Sequence, residues 1–183
     1  MSLLVSGLAT AAVVIHLALI TSLTLFVLKK TVDSEIYEKL HVDKVYSVIG
    51  YYYKELALLF ALTATSGSLY MSNVLGWEPC TMCWYQRILV YPLVVILAVG
   101  VLLEKEDVED YALPLALIGL PISLYHAMLQ RFTQYLGSGC SPTAISCATE
   151  YTFHYNYITV PGLAFTALLV ITLLLWRFSP REY

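Results

Sequence analysis

The sequence predicts an all-α protein of the lipid bilayer, and two observations lead to this fold class. Hydrophobic residues make up 59% of the 183-residue chain and charged residues 13%, against roughly 45–50% and about 25% in soluble domains. The apolar residues also form runs near the length of about 20 residues that a helix needs to cross a bilayer. Five such spans cover residues 3–28, 56–76, 88–103, 111–129 and 160–177.

The first span is expected to persist as a membrane helix rather than be cleaved as a signal peptide. No Lys or Arg precedes it, its apolar run is about twice the usual length, and no Ala-x-Ala site follows it. His16 lies inside this span, where a histidine either hydrogen-bonds a neighbouring helix or marks a functional site. We favour the structural role.

The second span follows a connecting segment, residues 29–55, that contains five lysines. The pattern also allows this helix to start near Lys44 and to project past the membrane as one long helix. Its run TATSGSLYMS, residues 63–72, is rich in small residues, which let membrane helices approach each other closely. Helix packing is therefore the predicted role of this run.

Prolines mark the third and fourth spans. The third span is short, but residues 84–88 can extend it, and Pro79 suits the first turn of a helix that begins at about Cys80. Pro114 and Pro121 interrupt the fourth span. Because prolines inside a helix produce kinks, a kinked fourth helix is predicted.

Basic residues are distributed unevenly over the segments that join the spans. The segments 29–55 and 104–110 and the C-terminal tail hold eight Lys and Arg residues, and the remaining segments hold two. Because positive charge favours the cytoplasmic side, we expect a multi-pass plasma-membrane protein with a cytoplasmic C-terminus. The N-terminus and the segments 77–87 and 130–160 are then extracytoplasmic.

All four cysteines fall in these two extracytoplasmic segments; they are Cys80, Cys83, Cys140 and Cys147. That compartment is oxidising, so thiols there tend to form disulfides. Four cysteines allow three pairings, of which Cys80–Cys83 with Cys140–Cys147 is the simplest. A zinc site would require two short C-x-x-C knuckles, whereas six residues separate the second pair, and no metal is expected.

The C-x-x-C pair suits redox chemistry better than structural cross-linking. Its disulfide would close a very small loop and would therefore restrain the unfolded chain little. On the predicted helix, Cys80, Cys83 and Arg87 share one face. The free N–H groups of the helix start and the Arg87 guanidinium both stabilise a thiolate, and a low thiol pKa is what disulfide exchange requires of its leaving group.

The string PCTMCWYQR, residues 79–87, resembles the signature of the DsbB family of membrane thiol–disulfide oxidoreductases, in particular its BdbC-like branch. Further stretches resemble that family in the same order, and the similarity runs from about residue 50 to residue 178. These stretches are GSLYMSN (67–73), YHAMLQ (125–130), CSPTAISC (140–147) and YITVPGLAF (157–165).

The resemblance implies a four-helix transmembrane bundle over residues 56–178 with two extracytoplasmic cysteine loops. Residues 1–28 are then an extra N-terminal transmembrane helix, and residues 29–55 are a cytoplasmic connecting segment. It also implies an enzyme, a thiol:quinone oxidoreductase of disulfide bond formation, whose cofactor is a membrane quinone of the ubiquinone or menaquinone type.

The resemblance assigns roles to individual residues as well. Electrons pass from a DsbA-like thioredoxin-fold partner to Cys140 and Cys147, then to Cys80 and Cys83, and finally to the quinone. Two further residues are implied to lie at the quinone; they are Arg87 and His126.

The chain departs from the family's pattern at two places. The first span is additional to the four-helix bundle. The second cysteine pair is also closer together than in the enterobacterial type, which leaves little room for the amphipathic helix found there. The Tyr-rich stretch TEYTFHYNYITV, residues 149–160, is expected to supply interfacial anchoring instead, with His154 solvated or at the interface.

Two other functions stay open. A vitamin-K-epoxide-reductase-like enzyme does related chemistry, but in that family the quinone-side C-x-x-C follows the loop cysteines, whereas here it comes first. A non-enzymatic membrane scaffold with two structural disulfides is the other alternative, and its disulfides would resist mild reductant. The net charge of −3 gives no argument for binding nucleic acid.

Overall fold

The computed structural model describes residues 3–29, 42–132, 146–149, 151–152, 154–155 and 158–178. Within these ranges the chain forms six helices, and the predicted all-α membrane protein is confirmed. The helices are α1 (Leu3–Lys29), α2 (Val42–Tyr51), α3 (Tyr53–Asn73), α4 (Thr81–Leu102), α5 (Val108–Arg131) and α6 (Val160–Phe178).

Four of the described helices are long and apolar enough to cross a membrane, namely α1, α4, α5 and α6. The second predicted span, 56–76, corresponds to α3. With 21 residues α3 is also long, but it is not among these four because it carries Lys54, Glu55 and many small polar residues.

Helices α3 to α6 pack into a bundle around small and branched apolar side chains. Most buried residues of these helices recur at spacings of three or four positions, which places them on one face. Close approach is visible where α5 meets α6, because a Cβ added to Gly119 would lie 2.9 Å from Leu168 Cδ1. The central core includes Ala57, Ala61, Val90, Leu93, Leu97, Ala112, Ala116, Leu168, Ile171 and Leu175.

A helix does begin near Lys44, but it is separate from α3. α2 begins at Val42 and ends at Tyr51, and Tyr52 leaves helical geometry with φ −106° and ψ 22°. Hydrogen bonds from Tyr52 N to Val48 O (3.1 Å) and from Leu56 N to Tyr52 O (2.9 Å) still bridge the break. The single long helix that the pattern also allows is therefore interrupted at one residue.

A buried polar cluster closes the end of the bundle farthest from the cysteines. Glu109 of α5 is 1% exposed. Tyr53 OH donates a hydrogen bond to Glu109 Oε1, and Lys54 Nζ lies 3.4 Å from the same oxygen. Lys54 Nζ also donates to the carbonyl oxygen of Lys105 at 2.6 Å. These contacts join the start of α3 to the start of α5.

Prolines do not end the helices that contain them. α5 runs through Pro114 and Pro121, and α4 runs through Pro92. The kink predicted for the fourth helix stays a prediction.

Helix α1 packs on α6 and runs in the same direction. Ala9 and Ala12 cluster with Ile158 just before α6. Further along, His16 Nε2 lies 2.8 Å from Thr166 Oγ1. His16 thus has the interhelical hydrogen bond that its structural role requires.

Candidate functional site

Helix α4 begins directly after Cys80. Cys80 is the N-cap residue, with extended backbone angles of φ −72° and ψ 173°, and its sulfur accepts a hydrogen bond from Cys83 N at 3.4 Å. The sulfur therefore satisfies one of the free N–H groups at the helix start, as an N-cap side chain does. Pro79 precedes the cap, one residue outside the first turn in which it was expected.

Cys80 and Cys83 are free thiols in direct contact. Their sulfurs lie 3.3 Å apart, compared with about 2.05 Å in a disulfide. Cys80 is 5% exposed and Cys83 is half-buried. The predicted pair is therefore adjacent and reduced, and its sulfurs are close enough to form a disulfide after a small movement.

His126, near the end of α5, is fully buried against the cysteines. Its Nε2 lies 3.5 Å from Cys80 Sγ and 3.2 Å from the carbonyl oxygen of Cys147. A carbonyl only accepts hydrogen bonds, so Nε2 must carry a proton. Nδ1 of the same ring is buried and has no partner among the described residues.

The Cys80 thiol is strongly acidic in this setting. A hydrogen bond from Cys83 lowers the pKa of Cys80 to about 4, with burial opposing the shift and His126 adding to it. These contacts therefore favour the thiolate of Cys80, which is the reactive form in disulfide exchange. The helix start and the nearby guanidinium, which the sequence predicts, do not include the two main hydrogen-bond donors, Cys83 and His126.

Cys147 contacts the same nitrogen of His126 through its backbone carbonyl oxygen. It is buried, disulfide-bonded and part of one apolar cluster with Cys80 and Leu129. Its segment is held on α5 by Gln130 Nε2, which donates to the carbonyl oxygen of Thr149 at 2.9 Å. The structure thus brings Cys147 to the first pair.

Cys140 lies outside the described residues, so its predicted role stays a prediction. Beyond Thr149 the same loop contacts the segment that precedes α4. Tyr151 stacks on Trp77 with ring centroids 5.2 Å apart, and its hydroxyl donates to the carbonyl oxygen of Glu78 at 3.1 Å. His154 is half-buried further along this loop.

Arg87 is fixed by two serines of α3. Its Nε donates to Ser68 Oγ at 3.0 Å, and its Nη2 donates to Ser72 Oγ at 2.9 Å and to the carbonyl oxygen of Ser68 at 3.2 Å. The guanidinium also lies 5.2 Å from the ring centroid of Trp84. The small-residue run predicted only to pack α3 therefore also positions Arg87. The sequence does contain a sign of this role, because Ser68 and Ser72 are four residues apart and so lie on one helix face.

A cavity of about 360 Å³ opens beside these residues. It is bounded by α1, α3, α4, α5 and α6 and is mostly apolar, and its volume falls in the usual range of roughly 300–1,000 Å³ for small-molecule sites. Gln86, which is buried, also faces this space and was not singled out from the sequence. The predicted site residues at its wall are Cys80, Cys83, Arg87 and His126.

Cys80, Cys83 and His126 are also suited to hold a soft metal ion, because their ligand atoms lie within 4.8 Å of one another. The hydrogen bond to Cys147 O argues against this use. It requires a proton on His126 Nε2, so the nitrogen that contacts the Cys80 sulfur has no lone pair available for a metal. The arrangement fits the stabilisation of a thiolate better.

The chain is similar over more than half of its length to known proteins of disulfide bond formation. Residues 54–176 match the family model described as disulfide bond formation protein DsbB. The probable disulfide formation protein C of Halalkalibacterium halodurans is 43% identical over 113 residues, which are 62% of this chain and 82% of that protein. The disulfide bond formation protein C of Bacillus subtilis is 40% identical over 111 residues, 61% of this chain and 80% of that protein.

A further relative extends the matched region. The probable disulfide formation protein C 2 of Bacillus cereus is 37% identical over 131 residues, 72% of this chain and 94% of that protein. No solved structure matches the chain. Because the family model covers more than half of the chain and the relatives are matched over most of their length, the chain belongs to the DsbB family, in its BdbC-like branch.

Proposed function

We propose that this chain is a membrane thiol:quinone oxidoreductase that generates disulfides and reoxidises a DsbA-like thioredoxin-fold partner. The position of Cys80 carries the proposal. Its sulfur contacts His126, which also binds the Cys147 backbone, and it lines the apolar cavity. The Cys80 thiolate therefore lies between Cys147 and a space suited to an apolar oxidant. Membership of the DsbB family supports this class of reaction.

Cys140 and Cys147 exchange with the partner in the first step. A thiolate of the reduced partner attacks their disulfide and forms a mixed disulfide. The second partner thiol then attacks this bond, which releases the oxidised partner and leaves Cys140 and Cys147 as thiols. The disulfide at Cys147 is consistent with this role.

The second step moves two electrons to the first pair. A thiolate of the second pair attacks the Cys80–Cys83 disulfide at Cys80 and expels Cys83. Attack by the remaining thiol re-forms the second disulfide and leaves Cys80 and Cys83 as a dithiol. Cys147 suits the attacking role, because it shares a buried cluster with Cys80. His126 Nε2–H then keeps Cys80 as the thiolate.

The residues at the cavity fit a quinone of the ubiquinone or menaquinone type. The walls are apolar, and the Arg87 guanidinium faces the same space as both thiols. When bound, a quinone supplies an acceptor for the two electrons and two protons of the dithiol. Arg87 would bind and orient it through a carbonyl oxygen, where a fixed positive charge is stabilising. Cys80 and Cys83 return to the disulfide, and Ser68 and Ser72 keep Arg87 in place.

We further propose that the cysteine side is extracytoplasmic in the plasma membrane. α1 and α6 run in the same direction, so the N-terminus lies on the same side as the Cys147 segment. The distribution of basic residues assigns that side to the outside. A membrane-impermeant thiol reagent, applied to intact cells after reduction, should label all four cysteines, and labelling only after permeabilisation would reverse the orientation.

A scaffold with two structural disulfides is less well supported. Cys80 and Cys83 are free thiols, and the arrangement around Cys80 lowers its pKa, which a structural cross-link does not need.

The proposed function is tested by quinone reduction in detergent. A reduced thioredoxin-fold protein should reduce a soluble quinone only when this chain is present. Cys147→Ser should abolish turnover from the partner, whereas the reduced chain should still transfer one pair of electrons from Cys80 and Cys83 to the quinone. Quinone reduction that is independent of Cys80 and Cys83 would contradict the proposal.

A further inference from the structure

We propose that α1 forms a wall of the quinone-binding cavity and thereby sets the affinity of this chain for membrane quinones. The role depends on the function proposed above, because it assigns an occupant to the cavity beside the cysteines. α1 lies outside residues 54–176, which match the family model. The match to the family model therefore does not include the helix that forms this wall.

The cavity is lined along α1 by apolar side chains only, those of Leu8, Ala11, Ala12 and Ile15. Their spacing of three and four residues places them on one helix face. The same cavity reaches Cys83 and Arg87, so one continuous space joins the α1 face to the redox pair. The two alanines leave room that larger side chains would fill.

Packing holds this face of α1 between two helices of the bundle. On one side, Leu8 Cδ1 lies 3.3 Å from the position that a Cβ on Gly67 of α3 would occupy. On the other side, Ala9 and Ala12 pack with Ile158, immediately before α6. Ala12 is 3% exposed. α1 therefore covers the side of the cavity that lies between α3 and α6.

A polar contact fixes α1 one residue beyond Ile15. Thr166 Oγ1 donates its own proton to the carbonyl oxygen of Gly162 at 2.9 Å. It must therefore accept the hydrogen bond from His16 Nε2 at 2.8 Å. Within a bilayer such interhelical hydrogen bonds stabilise the packing of helices. Thr166 also lines the cavity, so this hydrogen bond holds α1 in place beside the cavity.

The chemistry of the wall indicates how α1 acts. None of its four lining side chains can donate or accept a proton or form a disulfide. α1 should therefore affect how tightly the apolar oxidant binds, not the exchange reactions of the cysteines. A change in the wall should appear in the KM for quinone and leave kcat and exchange with the partner unchanged.

Ala11→Phe tests the wall directly, with Val14→Phe as the matched control. Ala11 lines the cavity yet is exposed, so a larger side chain can be accommodated. Val14 is 64% exposed and does not line the cavity. Ala11→Phe should raise the KM for quinone about 10-fold, whereas Val14→Phe should leave it unchanged. His16→Leu, which removes the bond to Thr166, should raise the KM in the same direction.

The place where the quinone binds can also be measured without turnover. A photoreactive azidoquinone is bound to the unmodified chain, and the labelled peptides are identified by mass spectrometry. The expected result is saturable labelling in α1 and in α4, competed by unlabelled quinone. Labelling of α4 without α1, or equal KM values for Ala11→Phe and Val14→Phe, would overturn the role of α1 and leave the proposed function standing. Absence of saturable labelling anywhere would overturn both.

Discussion

The Cys80 sulfur lies 3.5 Å from Nε2 of His126, a buried nitrogen that also lies 3.2 Å from the carbonyl oxygen of Cys147. Both neighbours act as acceptors when Cys80 is a thiolate, so one N–H group serves both cysteines. His126 therefore stabilises the Cys80 thiolate and positions the Cys147 segment beside it. Removing this ring should alter both the acidity of Cys80 and the exchange between the two pairs.

His126→Ala should raise the pKa of Cys80 from about 4. The loss of one hydrogen bond to a charged group predicts a rise of about 1 to 2 pH units. Alkylation of Cys80, followed by mass spectrometry as the pH is raised, should reach its plateau above about pH 5 in the unmodified chain and at higher pH in the variant. His154→Ala, in the outer loop, is the control. An unchanged midpoint in His126→Ala would assign the acidity to Cys83 alone.

Arg87→Ala should weaken quinone reduction by roughly 10²-fold, the loss expected when one donor to a developing negative charge is removed. Arg87→Lys should weaken it partially, because lysine keeps the charge and loses the planar fork of donors. Exchange with the partner at Cys140 and Cys147 should survive both changes. The measurement is the rate of quinone reduction against quinone concentration, and unchanged kinetics in folded Arg87→Ala would reduce Arg87 to an interfacial anchor.

Ser68→Ala combined with Ser72→Ala should reproduce part of the Arg87→Ala effect, because both serine hydroxyls accept hydrogen bonds from the guanidinium. Ser66→Ala is the matched control, since the Ser66 hydroxyl donates to the carbonyl oxygen of Leu62 within its own helix. Quinone kinetics of each variant give the comparison. If the double variant behaved like Ser66→Ala, the serines would pack α3 and would not position Arg87.

Tyr53→Phe should destabilise the fold without changing the chemistry of the cysteines. It removes a hydrogen bond to the buried carboxylate of Glu109, and hydrogen bonds to charged groups contribute about 1.5–3 kcal/mol. Thermal unfolding in detergent measures the loss. The control is Tyr52→Phe, because Tyr52 is 49% exposed. Equal stability of the two variants would show that the Tyr53–Glu109 contact contributes little.

Hydropathy and motif spacing predicted much of this architecture. The five predicted spans correspond to α1, α3, α4, α5 and α6, because lipid-facing helices must be apolar along most of their length. Cys80, Cys83, Arg87 and His126 were predicted together and line one cavity. The spacing of Cys80, Cys83 and Arg87 on one predicted helix face was sufficient to group those three, whereas His126 was assigned to the site by the resemblance to the DsbB family.

Apart from an interhelical hydrogen bond of His16, the contacts between helices could not be predicted from the sequence. The serines that hold Arg87 lie on another helix, and small polar residues in a membrane span are equally suited to packing. The cavity wall formed by α1 depends on which face of an almost uniformly apolar helix turns inward, and such a helix has no polar face to indicate it. The position of Cys147 beside His126 depends on the path of the loop that follows α5.

The central claim is that electrons enter the first pair through contact between Cys147 and Cys80. The most direct measurement is disulfide formation in a variant that keeps only these two cysteines, made by Cys83→Ser and Cys140→Ser. After mild oxidation, mass spectrometry should find the Cys80–Cys147 disulfide in most molecules. The matched variant that keeps only Cys83 and Cys147 should form far less. Equal or greater cross-linking of Cys83 would contradict the proposed route.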